Sequence, residues 1–190
     1  MKRKVKVKTE KTVNTFAHFR TVSWLSLQEA KQKKEGWFYQ CMISQLFSAF
    51  CLEAYLYHVG QKKLAYWEKV ERKLGPREKL EIITCEIGFK PDFGKRPFQS
   101  LDLIFTLRNL LVHGRTDYLE EENEQILDEA EKPKLPQAKW EKLINLEKAI
   151  VFSEDTKAII EAINSKAGFK INLLYAPETG GWSVSPIEND

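Results

Sequence analysis

The stretch from Gly36 to Gly60, GWFYQCMISQLFSAFCLEAYLYHVG, constrains this chain more than any other. It is long enough to cross a bilayer as a helix, and lysines flank both ends. Polar residues interrupt it at Gln40, Ser44, Gln45, Ser48, Glu53 and His58. A helix carrying a carboxylate and two glutamines among apolar side chains suits the middle of a protein better than lipid. Further amphipathic segments elsewhere in the chain need an apolar surface to pack on. The expectation is one central buried helix wrapped by others, with no membrane as partner.

Those other segments follow from apolar spacing and from Gly and Pro punctuation. A first helix is expected from Thr12 or Asn14, with Phe16, Phe19, Ser23, Leu27 and Ala30 on one face, stopping at Lys33–Gly36. The second is the apolar stretch, closed by Gly60. A third spans Ala65 to Leu74, and Pro76 opens a fourth that closes at Gly88. The fifth is FQSLDLIFTLRNLLVHG, ending at Gly114. Pro133 and Pro136 break the chain before a sixth around Ala138–Ile150 and a seventh around Ser153–Ala167. The N-terminal KVKVK is either a brief strand or a loose basic arm. The expected class is all-α, a bundle of about five to seven helices. Residues 1–13 form a basic arm, 14–167 a single helical domain with the acidic segment 117–131 inserted, and 168–190 a turn-rich tail.

A net charge of +3 over 190 residues conceals strong segregation. Residues 1–11 hold six bases against Glu10, and residues 62–115 hold twelve bases against seven acids. Residues 117–131 hold eight acids and no base, a pattern that suits a solvated polar helix or a linker. The basic stretches suit an anionic partner. Cys41, Cys51 and Cys85 are too few and too scattered for a disulfide framework. On one helix, Cys41 and Cys51 would stand roughly 15 Å apart, beyond the reach of a disulfide. His18, His58 and His113 share no metal-ligand spacing, so no metal and no cofactor are expected. No apolar run or small-residue cleavage site follows the basic N-terminus, which argues against a secretory signal. A reducing, cytoplasmic location is the expectation.

Wound at 100° per residue, the fifth helix gathers Asp102, Thr106, Asn109 and His113 into one polar stripe. Arg108 falls on the opposite, apolar arc, between Leu101, Ile104, Phe105 and Val112. A guanidinium there must be paired or must line a wet cleft, because an uncompensated buried charge costs several kcal/mol. Glu53 is the matching anomaly on the second helix, surrounded by Met42, Leu46, Ala49 and Tyr57. Opposite charges misplaced on two apolar faces predict a buried Glu53–Arg108 pair. His113 and Gly114 also suit an ordinary helix end, where a histidine complements the dipole and a glycine caps.

The run Arg108-Asn109-Leu-Leu-Val-His113-Gly114 at the end of a late helix, after DFGKRPFQSL and an earlier buried LEAYLYHVG, resembles the HEPN superfamily (higher eukaryotes and prokaryotes nucleotide-binding), whose signature is R-x4-6-H. The resemblance covers residues 14–165, and R-N-x-x-V-H-G is its most specific part. It implies a dimerising helical bundle in which paired Arg and His motifs meet in a cleft and cut RNA without a metal. Arg108 and His113 are then the catalytic candidates and Asn109 a cleft residue. Glu53 supports Arg108, while Lys95, Arg96 and Arg115 are candidate contacts to RNA phosphates. A toxin or abortive-infection role, with a separately encoded antitoxin, is implied for many members. Members paired with nucleotidyltransferase antitoxins show R-x4-H-x-Y, whereas Arg115 stands at that position here. Other members are catalytically silent modules that bind RNA, a nucleotide or protein, and that is the alternative.

The chemistry suits these residue types. Attack by the RNA 2′-hydroxyl needs a base, an acid for the leaving 5′-oxygen, and positive charge on the phosphorane. A histidine serves as base or acid, and an arginine presents paired donors to phosphate. On an ideal helix Arg108 and His113 point about 140° apart, which favours a homodimer supplying two copies. Phe98, Phe105 and Trp37 are the apolar aromatics expected to support such a dimer.

Overall fold

A computed structural model of the chain describes residues 4–122, 124, 132–169 and 173–186. Lys2 and Arg3 of the basic arm and Asp128, Glu129 and Glu131 of the acidic segment lie outside them. The order is β1 (Val5–Val13), α1 (Thr15–Gln32), α2 (Trp37–Lys63), α3 (Trp67–Val70), α4 (Pro76–Glu86), α5 (Leu101–Val112), α6 (Leu146–Lys166) and β2 (Glu178–Pro186).

The apolar stretch is the axis of the fold. α2 packs against α1, α4, α5 and α6 and buries Cys41, Ala49, Leu52, Tyr55, Leu56 and Val59. Among the described residues no helix is long and apolar enough to cross a membrane. Of the polar residues that interrupt α2, Ser44, Gln45 and Ser48 are buried, and Gln45 Oε1 alone of their side-chain oxygens has no hydrogen-bond partner among the described residues. Ser48 shares a 2.8 Å hydrogen bond with Ser23 of α1 and donates to the Ser44 carbonyl, while Gln45 donates to the Leu143 carbonyl at 3.0 Å. Small hydroxyl side chains let α1 and α2 approach without stranding a polar atom. Cys41 and Cys51 are buried free thiols, and burial pushes Cys51 up to about 12 although Arg20 opposes it.

The sequence expectations hold for the ends of α1 and α4. Gly36 and Gly88 adopt left-handed φ values of 75° and 65°, which stop α1 from running into α2 and close α4. Pro76 opens α4, and the Glu78 carboxylate accepts from the Gly75 N–H at 2.6 Å. Four expectations are corrected. Gly60 does not end α2, which continues to Lys63. The third helix shrinks to one turn plus a 3₁₀ turn over Glu71–Lys73, because Trp67 folds inward onto the α2 backbone. The sixth and seventh helices are a single α6. Asn145 caps it by accepting from the Lys148 N–H at 2.8 Å, and Ser153, read as a helix start, is buried in its middle. Between Pro136 and α6 there is only a 3₁₀ turn, Glu141–Leu143.

The fourth correction concerns the termini. The basic arm and the turn-rich tail pair as an antiparallel ribbon, Val5 opposite Pro186 and Val13 opposite Glu178. The fold is therefore the expected helical bundle with a small two-stranded sheet added to it. A two-stranded ribbon alone is marginal in water. This one is fastened at its base by Asn14, which donates from its side chain to Ala176 O at 2.7 Å and from its backbone to Pro177 O at 2.8 Å. Gly180 meets β1 so closely that a Cβ would stand 2.3 Å from the Glu10 carbonyl oxygen. Gly180, which mimics a loop signal in the sequence, is thus what permits the pairing. Of the acidic segment, Asp117, Glu120–Glu122 and Glu124 are exposed and belong to no helix or strand.

Candidate functional site

α5 positions the motif. Leu101, Ile104, Phe105 and Leu107 are buried and fix the rotation of the helix, so Asp102, Thr106 and Asn109 face outward as one stripe. Arg108 is left on the flank facing α2. Its Nη2 donates to both carboxylate oxygens of Glu53 at 2.5 Å, and its Nη1 donates to Asn109 Oδ1 at 2.9 Å. The pair expected from the sequence is present. It is half-buried, with the Arg108 side chain 18% and the Glu53 side chain 32% exposed, so solvent screens part of the attraction. Phe105 lies under the guanidinium, 5.7 Å from ring centroid to Cζ. Arg108 Nε is buried and has no hydrogen-bond partner among the described residues.

His113 ends α5. Its backbone N–H donates to the Asn109 carbonyl at 3.0 Å, and the chain then leaves the helix. Gly114 is not left-handed, so the turn departs from the glycine cap the sequence suggested. The imidazole is exposed and makes no hydrogen bond or ion pair among the described residues. It opens onto a cleft of about 760 Å³, shared with Thr106, Asn109, Arg115, Asp117, Tyr118, Lys139 and Trp140. Arg108 and Glu53 are not in that lining. Glu53 borders a separate groove of about 380 Å³ with Phe19, Phe50, Tyr57 and Lys79. One chain therefore sends Arg108 and His113 to different sides of α5, as the helical projection anticipates.

The remaining candidates divide. Arg115 joins the His113 cleft. Lys95 and Arg96 precede α5 and so stand at its other end, roughly 18 Å away along the axis. Lys95 is exposed, with Asp92 at 3.6 Å. Arg96 is committed to α6. Its Nε and Nη2 donate to Asp155 at 2.9–3.0 Å, and Ser100 Oγ donates to the same carboxylate. The Asp155 side chain is only 5% exposed, so Arg96 acts as its counter-ion and locks the 90–100 loop onto α6. Arg96→Ala should lower the Tm in a thermal melt, because it leaves the buried Asp155 carboxylate without its counter-ion. Phe98 and Phe105 are core residues, 7% and 5% exposed, and present no dimer surface; Trp37 remains 40% exposed.

The sequence reading missed Lys139, Trp140 and Asp155, which arrive from segments 31 to 47 positions beyond Arg108 in the chain. No local signal places them beside α5. His58, the other histidine of interest, is packed among Phe16, Tyr55 and Phe169, and burial, reinforced by Lys62, pushes its pKa below the usual histidine value. It is half-buried and borders a groove of about 410 Å³ with Asn14, Tyr57 and Gln61. Among the described residues no group of three or more His, Cys, Asp or Glu gathers as a metal site. No protein-family model matches the chain, and neither a curated protein nor a solved structure matches it.

Proposed function

We propose that the chain is a HEPN-type, metal-independent endoribonuclease that acts as a homodimer, in a toxin or other defence role. One observation carries the reading: an exposed imidazole, His113, without a partner among the described residues, opens onto a cleft that also holds the cations Arg115 and Lys139. In the proposed reaction the RNA 2′-oxygen attacks the adjacent phosphorus as His113 takes the 2′-proton. The bond from phosphorus to the 5′-oxygen breaks, and the protonated imidazolium of His113 in the other copy gives its proton to the leaving oxygen and becomes neutral. The products are a 2′,3′-cyclic phosphate and a 5′-hydroxyl. Arg108, aimed and held by Glu53, is the cation for the phosphorane of the neighbouring copy's site.

The test is RNA cleavage in EDTA by wild type, Arg108→Ala and His113→Ala. Loss in both variants is the expected result, and cleavage unchanged by both removes the reading. A second reading, a catalytically silent HEPN module, is favoured by the commitment of Arg108 to Glu53 and Asn109, which leaves one Nη1 hydrogen for a ligand. It expects measurable RNA binding with no cleavage by wild type.

A further inference from the structure

The motif on α5 does not account for the other walls of the His113 cleft. Tyr118 stands 87% exposed on the segment that follows the helix, and it lines the same cleft as Trp140. A tyrosine ring left that open gives up most of the burial its apolar face would gain in a core. Trp140 is the anchored wall, its ring packed on Phe38 at 6.2 Å between centroids. Arg115 and Lys139 are exposed and bring two cations into the lining against Asp117. The volume of about 760 Å³ falls in the range of ligand sites, ~300–1,000 Å³.

Aromatic faces interleaved with cations around an open cleft match what single-stranded nucleic acid offers. Unstacked bases present flat faces to the rings, and the backbone presents phosphates to the cations. A duplex keeps its base faces stacked and offers only the phosphates. The acids Glu120, Glu121 and Glu122 follow one residue after Tyr118, so they repel phosphate from that end and confine the backbone to the side of Arg115 and Lys139. We infer that this cleft is a subsite for an unpaired nucleotide of single-stranded RNA, with the base stacked on Tyr118 and the flanking phosphates held by Arg115 and Lys139. The inference rests on the RNA-cleaving reading and specifies its substrate as an unpaired strand. It assigns substrate selection to residues outside the Arg–His motif.

The experiment is fluorescence anisotropy with a short, unstructured single-stranded RNA, and with the same sequence as a duplex. The parent protein is His113→Ala, so that binding is read without cleavage, and titrations are repeated at several salt concentrations. Tyr118→Ala should weaken single-strand binding about ten- to a hundredfold and leave its salt dependence unchanged, while Tyr118→Phe keeps the affinity. Arg115→Ala and Lys139→Ala should each reduce the slope of log affinity against log salt by about 0.7. The duplex should bind more weakly than the single strand. Tyr118→Ala binding as tightly as its parent, single strand and duplex binding alike, or no RNA binding at all would each overturn the subsite. Failure of the ribonuclease reading is separately visible, as a wild-type protein that shows this binding pattern and does not cut.

Discussion

His113→Ala is expected to lower RNA cleavage by about 10²–10⁴-fold, the usual contribution of a positioned general acid or base. The same variant should fold normally. The imidazole is exposed, and the backbone N–H that closes the helix onto Asn109 is kept by alanine. What alanine removes is at most the favourable placement of a histidine at a helix C-terminus, about 0.3–1 kcal/mol. For a chain of this length that is a Tm shift of about 1–4 °C. Cleavage in EDTA and a thermal melt on the same preparation separate a chemical role from a structural one. An intact activity, or a loss of activity matched by unfolding, would count against His113 as the acid–base group.

Gly60→Ala should be the most damaging single methyl in the molecule. Gly60 lies inside α2, and Trp67, only 1% exposed, packs its indole directly on the Gly60 backbone. A Cβ there would stand 2.2 Å from Cε2 and 2.3 Å from Cδ2 of that ring. No carbon pair tolerates such a distance, so either the ring leaves its pocket or the last turn of α2 shifts. Overpacking of a rigid site costs about 1–3 kcal/mol and occasionally more. The upper end is expected here, because both a buried ring and a helix backbone would have to move. At about 2–4 °C per kcal/mol, a melt should show a fall in Tm of about 6–12 °C. A fall under about 2 °C would mean that Trp67 has somewhere else to go.

The same glycine shows how much of the fold could be read in advance. On sequence grounds Gly60 reads as a helix stop, yet its φ is ordinary and its purpose is a ring seven residues away. Local punctuation and long-range fit use the same residue, and only the first is visible in a string. Gly36 and Gly88 are cases where local geometry alone decides, and there the expected ends are found. The Glu53–Arg108 pair was legible for a related reason. Two charges on apolar arcs are each improbable alone, and their opposite signs cancel the cost. The antiparallel ribbon was not legible, since it joins residues more than 160 positions apart and its glycines imitate a loop. Arg96 has a partner that no spacing in the sequence announces. A loop arginine beside the motif looks free, but Asp155, buried on α6, claims it.

Of the candidate site, helical periodicity conveyed one wall. Asn109 and His113 fall on the exposed stripe, and Arg115 follows the motif into the cleft. The opposite wall comes from Lys139 and Trp140 on the 3₁₀ approach to α6, which no period in α5 announces. The geometry also divides the motif within one chain, because Arg108 turns toward α2 while His113 turns into the cleft. A mechanism that uses both groups therefore needs a second copy, and a monomer at all concentrations in sedimentation velocity would contradict it.

The most direct measurement is the chemistry of the product ends left by wild-type protein on a single-stranded RNA with EDTA present. The expected ends are a 2′,3′-cyclic phosphate and a 5′-hydroxyl. Absence of cleavage under these conditions, or a 3′-hydroxyl and 5′-phosphate formed only with magnesium, would contradict the proposed reaction at His113.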